Sequence, residues 1–158
     1  AAAAFFSRLS GREVEVVTGG VTHQFGNTGS GVKASGDTRT IHIVNSNTVA
    51  AVASAIGRPL HPERFRPNVI LGGSLPAWEE FSWVGQMVSI GAAALTVIKR
   101  TVRCKGVDVD ARRGAASADL NLPDLLARHF PQHGPYLGVY AQVARGGDVS
   151  VGDHVQVL

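Results

Sequence analysis

The chain carries one cysteine, Cys104, and one methionine, Met87. A single thiol rules out an internal disulfide framework and a multi-cysteine zinc site, and it fits a reducing cytosol. Charge is also sparse. Charged residues are 17 % of the chain, below the usual quarter. The net charge is +3 and the pI about 9.5, with no concentrated basic stripe, so no nucleic-acid partner is expected. Long apolar runs are missing. The longest, Ile90 to Ile98, is strand-length, so this chain contains no spanning helix and no membrane partner is expected. Phe5-Phe6 is too short for a signal-peptide core and Arg8 follows at once. The chain opens on Ala1 to Ala4 without Met, which reads as a fragment boundary or a processed end. Gly26-Asn27-Thr28-Gly29-Ser30-Gly31 lacks the Lys-Ser/Thr ending of a phosphate loop and reads as a flexible turn. There is no Gly-x-Ser-x-Gly nucleophile elbow, and no period of about 20–50 residues recurs.

What remains is a chain of 158 residues, 44 % apolar, with 19 glycines and 7 prolines. That suits one domain with many turns and few long helices. Val14, Val16 and Val21 read as a strand, and Gly26 to Gly36 as a Gly/Ser-rich loop. Thr40 to Val44 is a β-branched strand. A helix follows, with Asn47 as N-cap, Val49, Val52, Ala53 and Ile56 at helical spacing, and Gly57 as its stop. Val69 to Leu71 is a short strand. Val84 to Gly91 and Ala94 to Ile98 form a hairpin. Val107 to Asp119 reads as an exposed loop. A second helix spans Leu122 to Phe130, with Asn121 as N-cap and Leu122, Leu125, Leu126 and Phe130 facing inward. Gly138 to Val143 is a strand, and Val149 to Val151 with Val155 to Val157 a closing hairpin. Two short helices among seven or more short strands predict a mainly-β barrel or sandwich.

Several clusters could carry chemistry. In Arg64-Phe65-Arg66-Pro67-Asn68 the chain before proline must be extended. In an extended segment Arg64, Arg66 and Asn68 share one face and Phe65 points the other way, into the core. That face would offer guanidinium forks to an oxyanion, or else a salt-bridged surface. Cys104 follows an apolar strand between Arg103 and Lys105. Flanking cations favour the thiolate, the form that binds metals, whereas a buried cysteine would be a small hydrophobe. Trp78 and Trp83 flank Glu79-Glu80, two carboxylates that point opposite ways in a strand and make no facing acid pair. His129 and His133 have metal-pair spacing, but Pro131 breaks the turn between them.

Taken in order, RFRPN at 64–68, LPAWEEFSWVG at 75–85, VSIG at 88–91, ALTVIKRTVRC at 94–104 and LGVYAQVARGGDVSVGD at 137–153 resemble the MOSC domain. This is the domain of molybdenum cofactor sulfurase C-termini, the amidoxime-reducing component and its bacterial relatives. The resemblance covers residues 38–158 and implies a mainly-β fold with a few short helices, closed into a MOSC-type β-barrel. Residues 1–37 are then an N-terminal strand and loop, the remnant of an N-terminal region that the amidoxime-reducing relatives possess in full.

The resemblance implies a bacterial, cytoplasmic protein that binds molybdenum cofactor (molybdopterin). Cys104 corresponds to the family cysteine and would be both metal ligand and catalytic residue. Arg66 and Asn68 correspond to the arginine motif and would bind the pterin or its phosphate, with Arg64 in the same motif. Thr48, at a helix start, falls where the family often has a hydroxyl. Where the family has Asn followed by Asp-Pro, this chain reads Gly106 to Ala111, which leaves Asp108 as the nearby polar substitute. Pyridoxal phosphate also appears in descriptions of the family. It belongs to a separate sulfurase domain, and no Schiff base is expected of Lys33, Lys99 or Lys105. The implied activity is an oxidoreductase reducing a small-molecule N-hydroxylated substrate. With no flavin, haem or iron–sulfur motif in the chain, electrons come from a separate electron-transfer protein. The alternative is a carrier that takes cofactor or sulfur from a donor onto Cys104.

Overall fold

A computed structural model describes residues 2–15, 40–110, 112 and 119–158. The chain divides into two compact units, residues 1–35 and 36–158. In the first, helix α1 spans Ala2–Ser10 and buries none of its residues. Val14 closes back on it, its N–H donating to Ser7 Oγ at 2.9 Å. Of the strand read around Val14, Val16 and Val21 lie outside the described residues, as does the loop from Gly26 to Gly36.

The second unit is built on one six-stranded sheet. Its strands are β1 (Thr40–Asn45), β2 (Val69–Leu71), β3 (Met87–Ile90), β4 (Ala93–Val102), β5 (Tyr136–Arg145) and β6 (Val155–Val157), ordered β2-β1-β5-β4-β3-β6. Only β1 and β2 run parallel, joined through helix α2 (Ser46–Ile56); every other pairing is antiparallel. The closed barrel expected from the sequence gives way to an open half-barrel. The end strands β2 and β6 are three residues each, and among the described residues they pair only inward, with β1 and β3. Valines 149 and 151 do not form the closing hairpin: β6 takes its partner from β3 instead.

Two cores lie against the sheet. Ile43, Val88, Ile90, Leu95, Val97, Val139 and Ala141 bury one of them, with Phe81 and Trp83. The other gathers Val44, Val49, Val52, Phe65, Leu137 and, from helix α3 (Leu122–His129), Leu122 and Leu126. Ile43 and Val44 are adjacent and both fully buried. Successive side chains on a strand point to opposite faces, so β1 is covered on both sides. Each such Val, Leu or Ile contributes roughly 1.5–3 kcal/mol by leaving water.

The start of α2 sits two residues before its expected place. Asn45, not Asn47, is the cap, its Oδ1 accepting from the Asn47 N–H at 2.9 Å. Asn47 instead ties down the following loop, donating to the carbonyls of Gly73 and Leu75. The helix stops at Gly57, left-handed at φ 65°, whose N–H returns to Ala53 and Ser54.

Candidate functional site

Strand β4 ends at Val102, and Cys104 opens a 3₁₀ turn over Lys105–Asp108 with its thiol exposed. The turn closes through the Val107 N–H donating to the Cys104 carbonyl at 3.2 Å. Two buried residues anchor it. Arg64 Nη1 donates to the Val107 carbonyl at 3.0 Å, and Asp108 Oδ1 accepts the Leu122 N–H at 2.6 Å. Asp108 therefore caps α3. The expected cap, Asn121, makes no such bond and turns its amide to Asp124.

Arg64 is 5 % exposed, and its guanidinium is committed inside the protein. It forms a fork with Asp119 at 2.8 and 3.0 Å and lies 3.5 Å from Asp110. The fork and charge of Arg64 hold the Asp119 carboxyl below its ordinary pKa. The shared face expected for Arg64, Arg66 and Asn68 does not form, because Pro62–Phe65 is a 3₁₀ turn rather than a strand. Pro67 keeps Arg66 out of the right-handed helical region, and Arg66 goes left-handed, at φ 53° and ψ 52°, instead of extended. Phe65 is buried as expected, Arg64 is buried beside it, and the Arg66 side chain is exposed.

Asn68 works largely through β1. Its Oδ1 accepts the His42 N–H at 2.8 Å and its own N–H donates to the His42 carbonyl at 2.8 Å, which carries the ladder past the turn. Thr48 is fully buried, not open to an anion. It accepts the Trp78 N–H at 2.7 Å and donates to Glu80 at 2.9 Å. Asn45 donates to the same carboxyl at 3.0 Å. Burial, more than the nearby Glu79, raises the pKa of Glu80. This group of three holds Trp78 at φ 70°, left-handed and strained for a tryptophan. The Trp78 ring stacks on His133 at 4.3 Å and meets Phe130 and Phe81.

Next to Cys104 the structure assembles residues that the sequence reading did not single out as site residues. Arg103 turns inward over the Phe65 ring, 5.2 Å from its centre. Its Nη2 donates to the Phe65 carbonyl at 2.9 Å, and its Nη1 lies 3.1 Å from His42 Nε2 and 3.4 Å from the Leu137 carbonyl. Arginine can only donate, so His42 Nε2 carries the lone pair and Nδ1 the hydrogen, directed at the Arg66 carbonyl 3.4 Å away. Burial first, then the Arg103 charge, lowers the pKa of His42 to about 4, so its ring is neutral at pH 7. Burial also lowers Arg103 to about 10, which leaves it a cation. The Tyr140 ring sits 5.2 Å from that of His42. Gly138, at φ 77°, leaves the room this needs: a Cβ there would lie 2.9 Å from His42 Nε2 and 2.6 Å from the Ile43 carbonyl.

The exposed thiol of Cys104 thus stands beside Arg103, and Arg103 touches the backbone of Phe65, the residue before Arg66. Arg66, Arg103 and Lys105 have no carboxylate partner among the described residues, whereas Arg64 has two. A soft thiol flanked by Arg103 and Lys105, neither neutralised among the described residues, can take a soft metal or an anionic group. Arg64, Thr48 and Asp108 face inward and serve the scaffold behind it. No group of three or more His, Cys, Asp or Glu capable of holding a metal ion occurs among the described residues. The signal for His42 was its place in Thr40 to Val44, a polar residue that alternation alone does not send into a core. The signal for Arg103 was its adjacency to the cysteine.

Residues 30–156 match the family model of the MOSC domain. No curated protein matches the sequence. Among solved structures, the YuaD protein of Bacillus subtilis is similar with a TM-score of 0.61 at 21 % identity, over 87 % of this chain and 75 % of that one. YiiM from Geobacillus stearothermophilus is similar with a TM-score of 0.56 at 20 % identity, over 77 % of this chain and 55 % of that one. The match thus takes in little more than half the length of YiiM. At such identities the likeness speaks to the fold.

Proposed function

The chain belongs to the MOSC domain family, and from that membership we propose that it binds molybdenum cofactor, with Cys104 as the protein's ligand to the metal. The observation that carries this reading is the exposed Cys104 thiol on a turn pinned from behind by Arg64 and Asp108. The residues present fit such a group. A thiolate is the soft ligand that molybdenum takes, and the cofactor's negative charge would meet Arg66, Arg103 and Lys105, none of which is neutralised within the described residues. Asn68, an exposed residue two positions after Arg66, would offer its amide N–H₂ to a pterin edge.

The reaction we propose is reduction of an N-hydroxylated small molecule, with electrons from a separate protein. When bound, the cofactor supplies a two-electron centre able to accept oxygen from an N–O bond. The chain's own residues hold and orient. Cys104 gives the fixed point of attachment, and Arg64 with Asp119 keeps its turn from shifting. The His42–Arg103 pair sets positive charge beside it without a titrating group at neutral pH. A second reading, a carrier that passes cofactor or sulfur on from Cys104, is favoured by the thiol's exposure at a turn. No helix among the described residues is long and apolar enough to cross a membrane.

The deciding experiment is expression in a host that makes molybdenum cofactor, followed by molybdenum and pterin analysis of the purified chain and of Cys104→Ala. Activity on a hydroxylamine with a donor system then separates the enzyme from the carrier.

A further inference from the structure

Arg103 is half-buried, and among the described residues it has no counter-charge. Its guanidinium meets two backbone carbonyls, the lone pair of a neutral histidine and the face of Phe65. All of these are uncharged. None of the ion pairs among the described residues includes it. Its Nε is buried with no partner, and so is Oγ1 of Thr101, two positions earlier on the outgoing end of β4. These are the two orphaned buried side-chain atoms among the described residues, and both lie within the three residues before Cys104.

Two unmet polar atoms in the interior are each unfavourable, and so is a half-buried cation with no counter-charge among the described residues. Native structures seldom leave such groups, and where they do an ordered water, an ion or a functional demand accounts for them. Arg64 provides the contrast within the same unit: equally arginine, more deeply buried, and met by Asp119 and Asp110. Nothing equivalent was built for Arg103. Its partners instead fix its position. Nη1 is held by His42 and Leu137 and Nη2 by Phe65, so the guanidinium cannot swing out to find a carboxylate. The two exposed cations on either side, Arg66 and Lys105, repeat the same excess of positive charge.

We propose that Arg103 is the anion-recognition residue of this site: an oxygen-rich dianion of the phosphate class binds beside Cys104 and supplies the counter-charge that the described residues do not. The inference rests on the reading above in placing that anion next to Cys104, and it assigns the charge recognition to Arg103 rather than to Arg64. His42 is a positioning residue. It touches no ligand and holds Nη1 through its single tautomer.

The test is calorimetric titration of inorganic phosphate into the metal-free full chain, with chloride at matched ionic strength as the control. The wild type should bind saturably. Arg103→Gln should bind at least about tenfold more weakly. Arg103→Lys keeps the charge without the fork, guards against a folding failure of the glutamine variant, and should be weakened at least about threefold. Arg145→Gln, which removes an exposed cation paired with Ala94 at the far end of β4, should bind phosphate as the wild type does. Wild-type affinity in either Arg103 variant, an equal loss in Arg145→Gln, or phosphate heats indistinguishable from chloride would overturn the proposal. Failure of the molybdenum reading shows elsewhere, as equal molybdenum retention by Cys104→Ala, so the two are told apart.

Discussion

Arg64 and Asp119 meet as a two-point fork at 2.8 and 3.0 Å across 55 positions of sequence, behind the turn that carries Cys104. Because Arg64 also holds the Val107 carbonyl, this pair decides where that turn sits. Arg64→Ala would take one donor from the Val107 carbonyl and from Asp119 and remove a cation 3.5 Å from Asp110. A cost of about 3 kcal/mol is expected, typical of a buried pair broken from one side. Urea unfolding measures it. Arg66→Ala, an exposed side chain, should stay within about 0.5 kcal/mol of the wild type. A larger loss from Arg66→Ala than from Arg64→Ala would contradict this division of roles.

His42 makes stability fall on the acid side. Its folded pKa of about 4 lies below the ordinary 6.5, so the unfolded chain takes up a proton that the folded chain refuses. The contribution is complete above pH 6.5 and drains away as pH falls toward 4, by about 3 kcal/mol in all. Asp119 acts in the same direction at lower pH, its carboxyl being held down by Arg64. His42→Gln should show a shallower loss of melting temperature between pH 6.5 and 4. Equal slopes in the two proteins would show that the buried ring does not govern this window.

Glu80 works in the opposite sense. Burial raises its pKa, so its stabilising contribution is whole below the unfolded value of 4.5 and is lost as pH rises through the folded value. Above that value the native state carries a carboxylate that its buried surroundings disfavour. Glu80→Gln keeps a hydrogen-bonding amide for Asn45 and Thr48. Its stability relative to wild type should improve as pH rises above 4.5 and level off once the folded Glu80 has ionised. A difference that stays flat across that range would refute the assignment.

Much of the scaffold was legible because its signals are local. The β-branched run before Asn45 and the glycine at position 57 mark β1 and the end of α2, and Val69 to Leu71 marks β2. The departures come where a distant group overrides the local one. Asn121 has the right chemistry for a cap, but Asp108, arriving from 14 positions away, takes the Leu122 N–H. Arg64 and Arg66 looked equivalent by alternation, yet a 3₁₀ turn sends one inward and the other out. Barrel closure failed because β6 turns back to β3. Helix α1 was overlooked although alanine is the strongest helix former. At the site, the exposed thiol was expected from its flanking charges. The inward turn of Arg103 was not, since only the fold brings His42 to it.

Gly138 is the position where a glycine is required in this site. An alanine there would be strained at φ 77° and would press its Cβ on the Ile43 carbonyl and the His42 ring. Gly138→Ala should cost at least about 2 kcal/mol and weaken the His42–Arg103 contact along with stability. Thermal unfolding with the ring signals of His42 followed by NMR checks both; wild-type values in each would mean the backbone yields more readily than the packing suggests.

Cys104 is the centre of the account, and metal content tests it most directly. Wild type and Cys104→Ala, purified side by side from a host that makes molybdenum cofactor, should melt within about 0.5 kcal/mol of each other, because an exposed thiol contributes little packing. Molybdenum per chain should fall at least about tenfold in the variant. Equal molybdenum in the two proteins would contradict the assignment of Cys104 as the ligand.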